Sequence, residues 1–156
     1  MAKYAENTTV SVESSQMEIK RVCIKYGAAG FMVGDHATIG GGIEFEMRGR
    51  RLRFRVRYPD PKDHQFTHID RYHQRSPAAA KAKYEAECRR LWRVLLLTIK
   101  SKCESVENGL VNFDEEWLPF IVVPGENRTI GELLVPQIDE VYRTGQLPPL
   151  LGSGMR

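Results

Sequence analysis

The chain has 156 residues, of which 42% are apolar and 28% charged, an ordinary globular balance long enough to bury one sizeable core. A formal net charge of +3 permits a polyanionic partner without requiring one, so such a partner must be argued from where the charge sits. Cys23, Cys88 and Cys103 have no Cys-x-x-Cys spacing and read as reduced, half-buried thiols, not as a disulfide framework, zinc site or redox pair.

The segment Met1-Ala2-Lys3-Tyr4-Ala5-Glu6 lacks the apolar stretch of a signal peptide. The longest dense apolar run, Val94 to Leu97, is far too short to span a bilayer. A cytoplasmic protein with no membrane partner is expected. The whole chain, 1–156, reads as one α+β domain, with a polar N-terminal arm over 1–10 and a tail over 146–156. A first helix is expected from Ser14 to Tyr26. Ser15 and Glu18 have capping-box spacing, and Gly27 suits the C′ position. Met17, Ile19, Val22, Cys23 and Tyr26 give it one apolar stripe.

From Gly30 to Arg57 the period changes to that of strands. Phe31-Met32-Val33 is a short strand, Asp35-His36 a turn, and Ala37-Thr38-Ile39 the return. Gly40-Gly41-Gly42 reads as a joint, a bulge or a close approach of backbones. It lacks the lysine and hydroxyl context of a phosphate-binding loop. Residues then alternate with period two on both sides of Arg48-Gly49, which marks a hairpin with a two-residue turn. That register sets Phe45 opposite Leu52 and Ile43 opposite Phe54 on the core side. Glu46 then faces Arg51, and Glu44 faces Arg53, on the other side. Each of these two ion pairs is worth at most a few tenths to about 1 kcal/mol.

Tyr58-Pro59-Asp60-Pro61 ends the strand. His64 to Arg75 is polar, without a period, and reads as a long loop. A long helix follows. Ser76 is its N-cap, Pro77 its first residue, and Asn108-Gly109 its end. Tyr84, Cys88, Leu91, Trp92, Leu95, Ile99, Cys103 and Val106 form its stripe, expected to pack on the sheet and the first helix. Arg89, Arg90 and Arg93 read as a solvated face, and Trp92 and Trp117 as core. Asn112 to Leu118 starts a short helix with an acidic first turn. Val122 to Asn127 is an extended piece and a turn. Thr129 and Glu132 form a second capping box, opening a helix that Pro136 should kink or split and Gly145 should stop. Gln146-Leu147-Pro148-Pro149-Leu150-Leu151 cannot be helical and reads as a surface tail. The fold class is therefore α+β: a small antiparallel meander packed by an N-terminal helix, one long central helix and a C-terminal helical region.

The hairpin holds six arginines in ten residues: Arg48, Arg50, Arg51, Arg53, Arg55 and Arg57. Two of them have glutamate partners across the strands. The nucleic-acid-binding set is taken as Arg48, Arg50, Arg53, Arg55 and Arg57. With no aromatic on the outer face, the hairpin should bind phosphates of single- or double-stranded nucleic acid with weak sequence preference and steep salt dependence. His64, His68, Asp70 and His73 are metal-ligand types, but a polar loop tolerates them as solvated groups, so no metal and no cofactor is expected. No serine or cysteine has a nucleophile's sequence context, and the balance leans away from an enzyme. A metal-dependent enzyme using His64, His68 and Asp70 is the distant alternative.

Several local patterns carry a resemblance. They are Lys25-Tyr26-Gly27-Ala28 followed by Phe31, the Arg48-Gly49-Arg50 turn, Glu87-Cys88-Arg89-Arg90-Leu91-Trp92-Arg93, Ile99-Lys100-Ser101-Lys102 and Gln146-Leu147-Pro148-Pro149-Leu150-Leu151. Together, over residues 4–151, they resemble a family of small uncharacterised proteins of bacteriophages and prophages. The resemblance implies a bacterial host cytoplasm and a phage setting, and it carries no established activity or site residue. The Gly40-Gly41-Gly42 run and the arginines after Arg51 depart from the family, in which that strand is more apolar. The expected function is a non-enzymatic accessory protein that binds nucleic acid in phage recombination or replication. The alternative is a protein–protein effector whose basic hairpin meets an acidic surface of a host enzyme or defence factor.

Overall fold

Arg48 and Gly49 both take left-handed backbone, with φ of 49° and 74°. Two successive positive-φ residues make the tight turn whose twist matches antiparallel strands. They join β2 (Gly40–Met47) to β3 (Arg50–Arg57). The computed structural model describes residues 3–36 and 39–146. In it Phe45 pairs with Leu52, Ile43 with Phe54, Glu44 with Arg53 and Glu46 with Arg51, the register the alternation predicts. Phe45 and Leu52 are fully buried, and Ile43 and Phe54 nearly so. β1 (Ala29–His36) pairs with the other side of β2, completing an antiparallel meander in the order β1-β2-β3.

The first turn falls later than the sequence suggests. Asp35 and His36 are strand residues, paired with Gly41 and Gly40. Ile39 lies in the turn; Ala37 and Thr38 lie outside the described residues. Gly40, Gly41 and Gly42 are strand, not a joint, and of the readings offered for them the close approach holds. A Cβ on Gly40 would sit 2.0 Å from the Val56 carbonyl oxygen, and one on Gly42 2.7 Å from that of Phe54. A Cβ on Gly41 would meet Asp35, Gly34 and Trp92, each at 2.7 Å. The irregularity in the sheet lies elsewhere, between Ala29 and Met32.

Helix α1 (Val12–Lys25) begins earlier than expected. Ser11, not Ser15, caps it, its Oγ accepting from the Ser14 amide at 3.1 Å. Ser15 is fully buried and its hydroxyl has no partner among the described residues. The capping-box spacing misled because Glu18 is engaged elsewhere: it accepts from Arg93 at 2.5 Å and from Lys100 at 3.3 Å. Met17 is exposed, whereas Ile19 and Cys23 are fully buried.

A four-residue helix, α2 (His64–Thr67), and a bridge between His68 and Gln74 stand where a plain loop was expected. Phe66, the one large apolar side chain of α2, is buried against Tyr84 and Cys88 and ties the segment down. Helix α3 (Pro77–Glu107) spans 31 residues. Its ends fall where the sequence places them: the Ser76 hydroxyl accepts from the Ala79 amide and Asn108 closes the helix. Trp92 and Ile99 are fully buried and Leu95 nearly so, while Leu91 is half-buried. Arg90 and Arg93 are not a solvated face. They are largely covered and paired, with Glu87 at 2.7 Å and with Glu18 of α1 at 2.5 Å.

Helix α4 (Phe113–Trp117) is capped by Asn112 and drops Trp117 fully into the core, edge-on to Phe45 and Phe54. After a tight turn over Leu118–Phe120, Ile121 bridges Leu52 and Val122 bridges Thr129, which extends the sheet beyond β3. Helix α5 (Ile130–Thr144) opens on the expected capping box of Thr129 and Glu132. It passes through Pro136 without being split and stops at Gly145, whose φ is 70°. Residues 147–156, most of the expected tail, lie outside the described residues. No helix among the described residues is long and apolar enough to cross a membrane.

The α1–α3 contact has a pH signature. The Arg93 hydrogen bond, helped by Lys100, holds the Glu18 carboxyl below its ordinary value of 4.5. Arg90 does the same for Glu87. A carboxylate whose pKa is lowered by folding stabilises the fold above its unfolded pKa, and that contribution is lost as pH falls through the lowered value. The melting temperature is expected to drop as pH falls from about 5 to about 3, and Glu18→Gln should flatten that drop. A Glu18→Gln profile parallel to wild type would show that this contact is not pH-linked. 

Candidate nucleic-acid interface

Alternation along β2 sends Ile43, Phe45 and Met47 toward the helices, where all three are buried. Among the described residues, the opposite face of the sheet carries no helical layer of the core. Across it, the register makes three rows: Met32–Glu44–Arg53, Gly34–Gly42–Arg55 and His36–Gly40–Arg57. Three of these nine positions are glycine, Gly40 and Gly42 on β2 and Gly34 on β1, so part of this face is bare backbone. The result is an open trough of about 820 Å³, lined by Met32, Asp35 and His36 on the β1 side, by Glu44 on β2 and by Arg53, Arg55 and Arg57 on the β3 side, with Asp35 bound to Tyr58 and Glu44 to two arginines.

The six arginines of the hairpin do not act as one patch. Glu44 collects two of them: it accepts a hydrogen bond from Arg53 Nε at 2.7 Å and forms an ion pair with Arg51, whose Nε lies 2.7 Å away. The expected Glu46–Arg51 ion pair is replaced by this diagonal contact, and Glu46 has no ion pair among the described residues. Arg53 is further fixed by Asn127, donating to its carbonyl at 3.1 Å and to its Oδ1 at 2.8 Å. With its side chain only 14% exposed, Arg53 is a buttress of the sheet, not an available phosphate contact. Arg48 and Arg50 sit at the turn and lean toward α4. Arg48 lies 5.3 Å from the Phe113 ring centre, and Arg50 makes a forked contact with Asp114 at 3.1 and 3.3 Å. Arg55 reaches Glu132 at 3.3 Å with its side chain 51% exposed. Arg57 is exposed and has no ion pair among the described residues.

Of the five arginines singled out from the sequence, the trough thus brings Arg53, Arg55 and Arg57 together and leaves Arg48 and Arg50 at the far end of the hairpin. Sequence reasoning missed Gly34, Asn127 and Glu132. Asn127 is 74 residues from Arg53, and no local pattern signals such a contact. Gly34 could have been flagged, because it shares strand parity with Met32 in a segment otherwise suited to side chains.

The histidine loop is occupied by its own structure. The His64 and His68 rings stack with centres 4.1 Å apart, and His68 Nδ1 lies 2.8 Å from the Thr67 hydroxyl. Asp70 accepts from the Tyr72 and His73 amides and contacts His73 Nδ1 at 2.8 Å. The Tyr72 amide and His73 together hold the Asp70 carboxyl below its usual range. His64, His68 and Asp70 do not converge, and among the described residues no three His, Cys, Asp or Glu side chains form a cage for an ion.

The cysteines are buried within α1 and α3. Burial pushes the Cys23 thiol up to about 12 and the Cys103 thiol up to about 11, and raises that of Cys88. At neutral pH these thiols stay protonated and are poor nucleophiles. Tyr58 is likewise committed: it accepts from Trp92 Nε1 at 2.6 Å and donates to Asp35 at 2.8 Å. That chain of bonds ties β1 and the end of β3 to α3 beneath the trough.

Compared with protein-family models, with curated proteins and with solved structures, the chain finds no match.

Proposed function

We propose that this protein binds nucleic acid through the outer face of its sheet, with Arg55 and Arg57 contacting phosphates, as a non-enzymatic accessory protein. One observation carries the reading: two exposed guanidinium groups on one wall of an open trough, one of them without an ion-pair partner among the described residues. The Arg55 side chain is half exposed and its ion pair with the partly covered Glu132 lies at the surface, where such pairs are worth about 0–1 kcal/mol, so Arg55 can turn from Glu132, which the capping box holds, to a phosphate at little cost. Arg51 contributes through the field it adds, since Glu44 balances only one of the two arginines it holds. Arg48 and Arg50 are secondary, and Arg53 positions the wall. The phage setting, in recombination or replication, is the one the sequence resemblance implies.

The test is the double substitution of Arg55 and Arg57 by glutamine. Both side chains are exposed, so the melting temperature should stay close to wild type. Oligonucleotide affinity should fall similarly for all base sequences, and the log–log salt slope should become shallower by about two units. An unchanged slope would show that these arginines do not meet phosphates. Binding by the wild type to an acidic protein but to no oligonucleotide would point to the effector reading instead.

A further inference from the structure

The basic residues available for binding line a recess. A duplex is read by elements that protrude into its grooves, typically a helix or a two-stranded ribbon. The β2–β3 hairpin is not such a ribbon. It is held on one side by β1 and on the other by the Ile121–Val122 segment, and its turn is pinned to Phe113 and Asp114. A convex duplex therefore meets the rim of the trough and not its wall. A single strand can enter it.

We infer that the ligand of this trough is single-stranded nucleic acid, its backbone on the Arg55 and Arg57 wall and its bases over the glycine floor toward Met32. The inference rests on the nucleic-acid reading above and specifies its substrate. The two walls differ in the way a single strand does. The β3 wall presents two cations on alternate residues of one strand, about 7 Å apart, a spacing suited to successive phosphates of an extended chain. The β1 wall presents Met32, apolar and 59% exposed, and nearby Ile39, 73% exposed. Between them the floor is peptide backbone at Gly34, Gly42 and Gly40. Planar bases can lie on such a floor. Of the rings that line the trough, Phe54 is buried in the core and Tyr58 is held by Trp92 and Asp35, which leaves His36 at one end of the outer rows, so contacts to bases are mainly apolar and weakly selective.

Gly34 allows a test that separates the trough from the fold. A Cβ on Gly34 meets nothing within 4 Å, and its φ is not in the left-handed range. Gly34→Gln and Gly34→Glu should therefore fold with near wild-type melting temperatures while placing a side chain in the trough. Anisotropy titrations would use labelled oligo-dT and oligo-rU of about 12 nucleotides and a hairpin duplex of matching length, at low salt. We expect both single strands to bind, and the duplex to bind at least about tenfold more weakly. Gly34→Gln should weaken single-strand binding, and Gly34→Glu should weaken it further, by about tenfold or more in total. A preference between oligo-dT and oligo-rU would name the strand chemistry within the same class. Equal or tighter duplex binding, lost on removing Arg55 and Arg57, would overturn the single-strand inference and leave the nucleic-acid reading standing. Single-strand affinity unchanged in both well-folded Gly34 variants would also overturn it. Binding of neither form by the wild type would remove both.

Discussion

Phe54→Ala is expected to destabilise the protein by about 3–5 kcal/mol, the range for deleting a buried aromatic ring. Phe54 is 4% exposed and sits where three aromatic contacts meet. Its ring stacks on Phe120 at 4.1 Å, lies parallel to Phe45 at 6.4 Å, and takes the edge of Trp117 at 5.8 Å. The neighbours belong to β2, α4 and the turn after it, so the cavity left by alanine cannot be closed by moving one element. A melting-temperature loss on the order of 10 °C should follow for a domain of this size. A shift of only a degree or two would show that the inner face of the sheet is not the core.

Gly40→Ala is expected to be comparably severe, for a different reason. The new Cβ would stand 2.0 Å from the Val56 carbonyl oxygen, a backbone atom that cannot swing aside, and Gly40 has a φ of 117°. The strand must either shift away from β3, losing pairing up to Arg57, or unpair locally. Strained backbone and lost ladder bonds each cost on the order of 1–3 kcal/mol. Gly34→Ala is the internal control, because its Cβ points into open space. Thermal melts of the two variants should differ sharply. Equal melting temperatures would mean that the glycine run is not a close approach between strands.

What the sequence made legible follows from how local each signal is. The hairpin register could be read because alternation on both sides of Arg48-Gly49 leaves a single alignment that buries Phe45, Leu52, Ile43 and Phe54 together. The long helix could be read because Ser76-Pro77 and Asn108-Gly109 are end signals with a physical cause at each position. The first turn was misplaced because glycine serves two purposes: it permits turns, and it permits backbones to touch. Gly40 to Gly42 do the second, and only the packing of β2 between β1, β3 and Trp92 shows it. The missed burial of Phe66 has a similar origin, since an isolated aromatic in a polar segment has no period to reveal it. At the candidate site, the excess of arginine was legible but its distribution was not. Glu44 takes Arg51 diagonally as well as Arg53 directly, and Asn127, Asp114 and Glu132 arrive from distant segments. Position on the trough together with exposure narrows the run of six arginines to Arg57 and to Arg55, which shares Glu132.

Arg55 and Arg57 together make a working polyanion site only if binding by the wild-type protein depends on salt. Affinity for a labelled single strand would be followed upward from about 50 mM salt, where electrostatic attraction is strong. Measurable binding is expected there, weakening with salt along a shallow log–log slope of magnitude about 1.5–2, because Arg57, Arg55 once it leaves Glu132, and the arginine in excess at Glu44 are the cations that displace counterions from a single strand. Absence of binding at the lowest salt, or binding indifferent to salt, would contradict such a site.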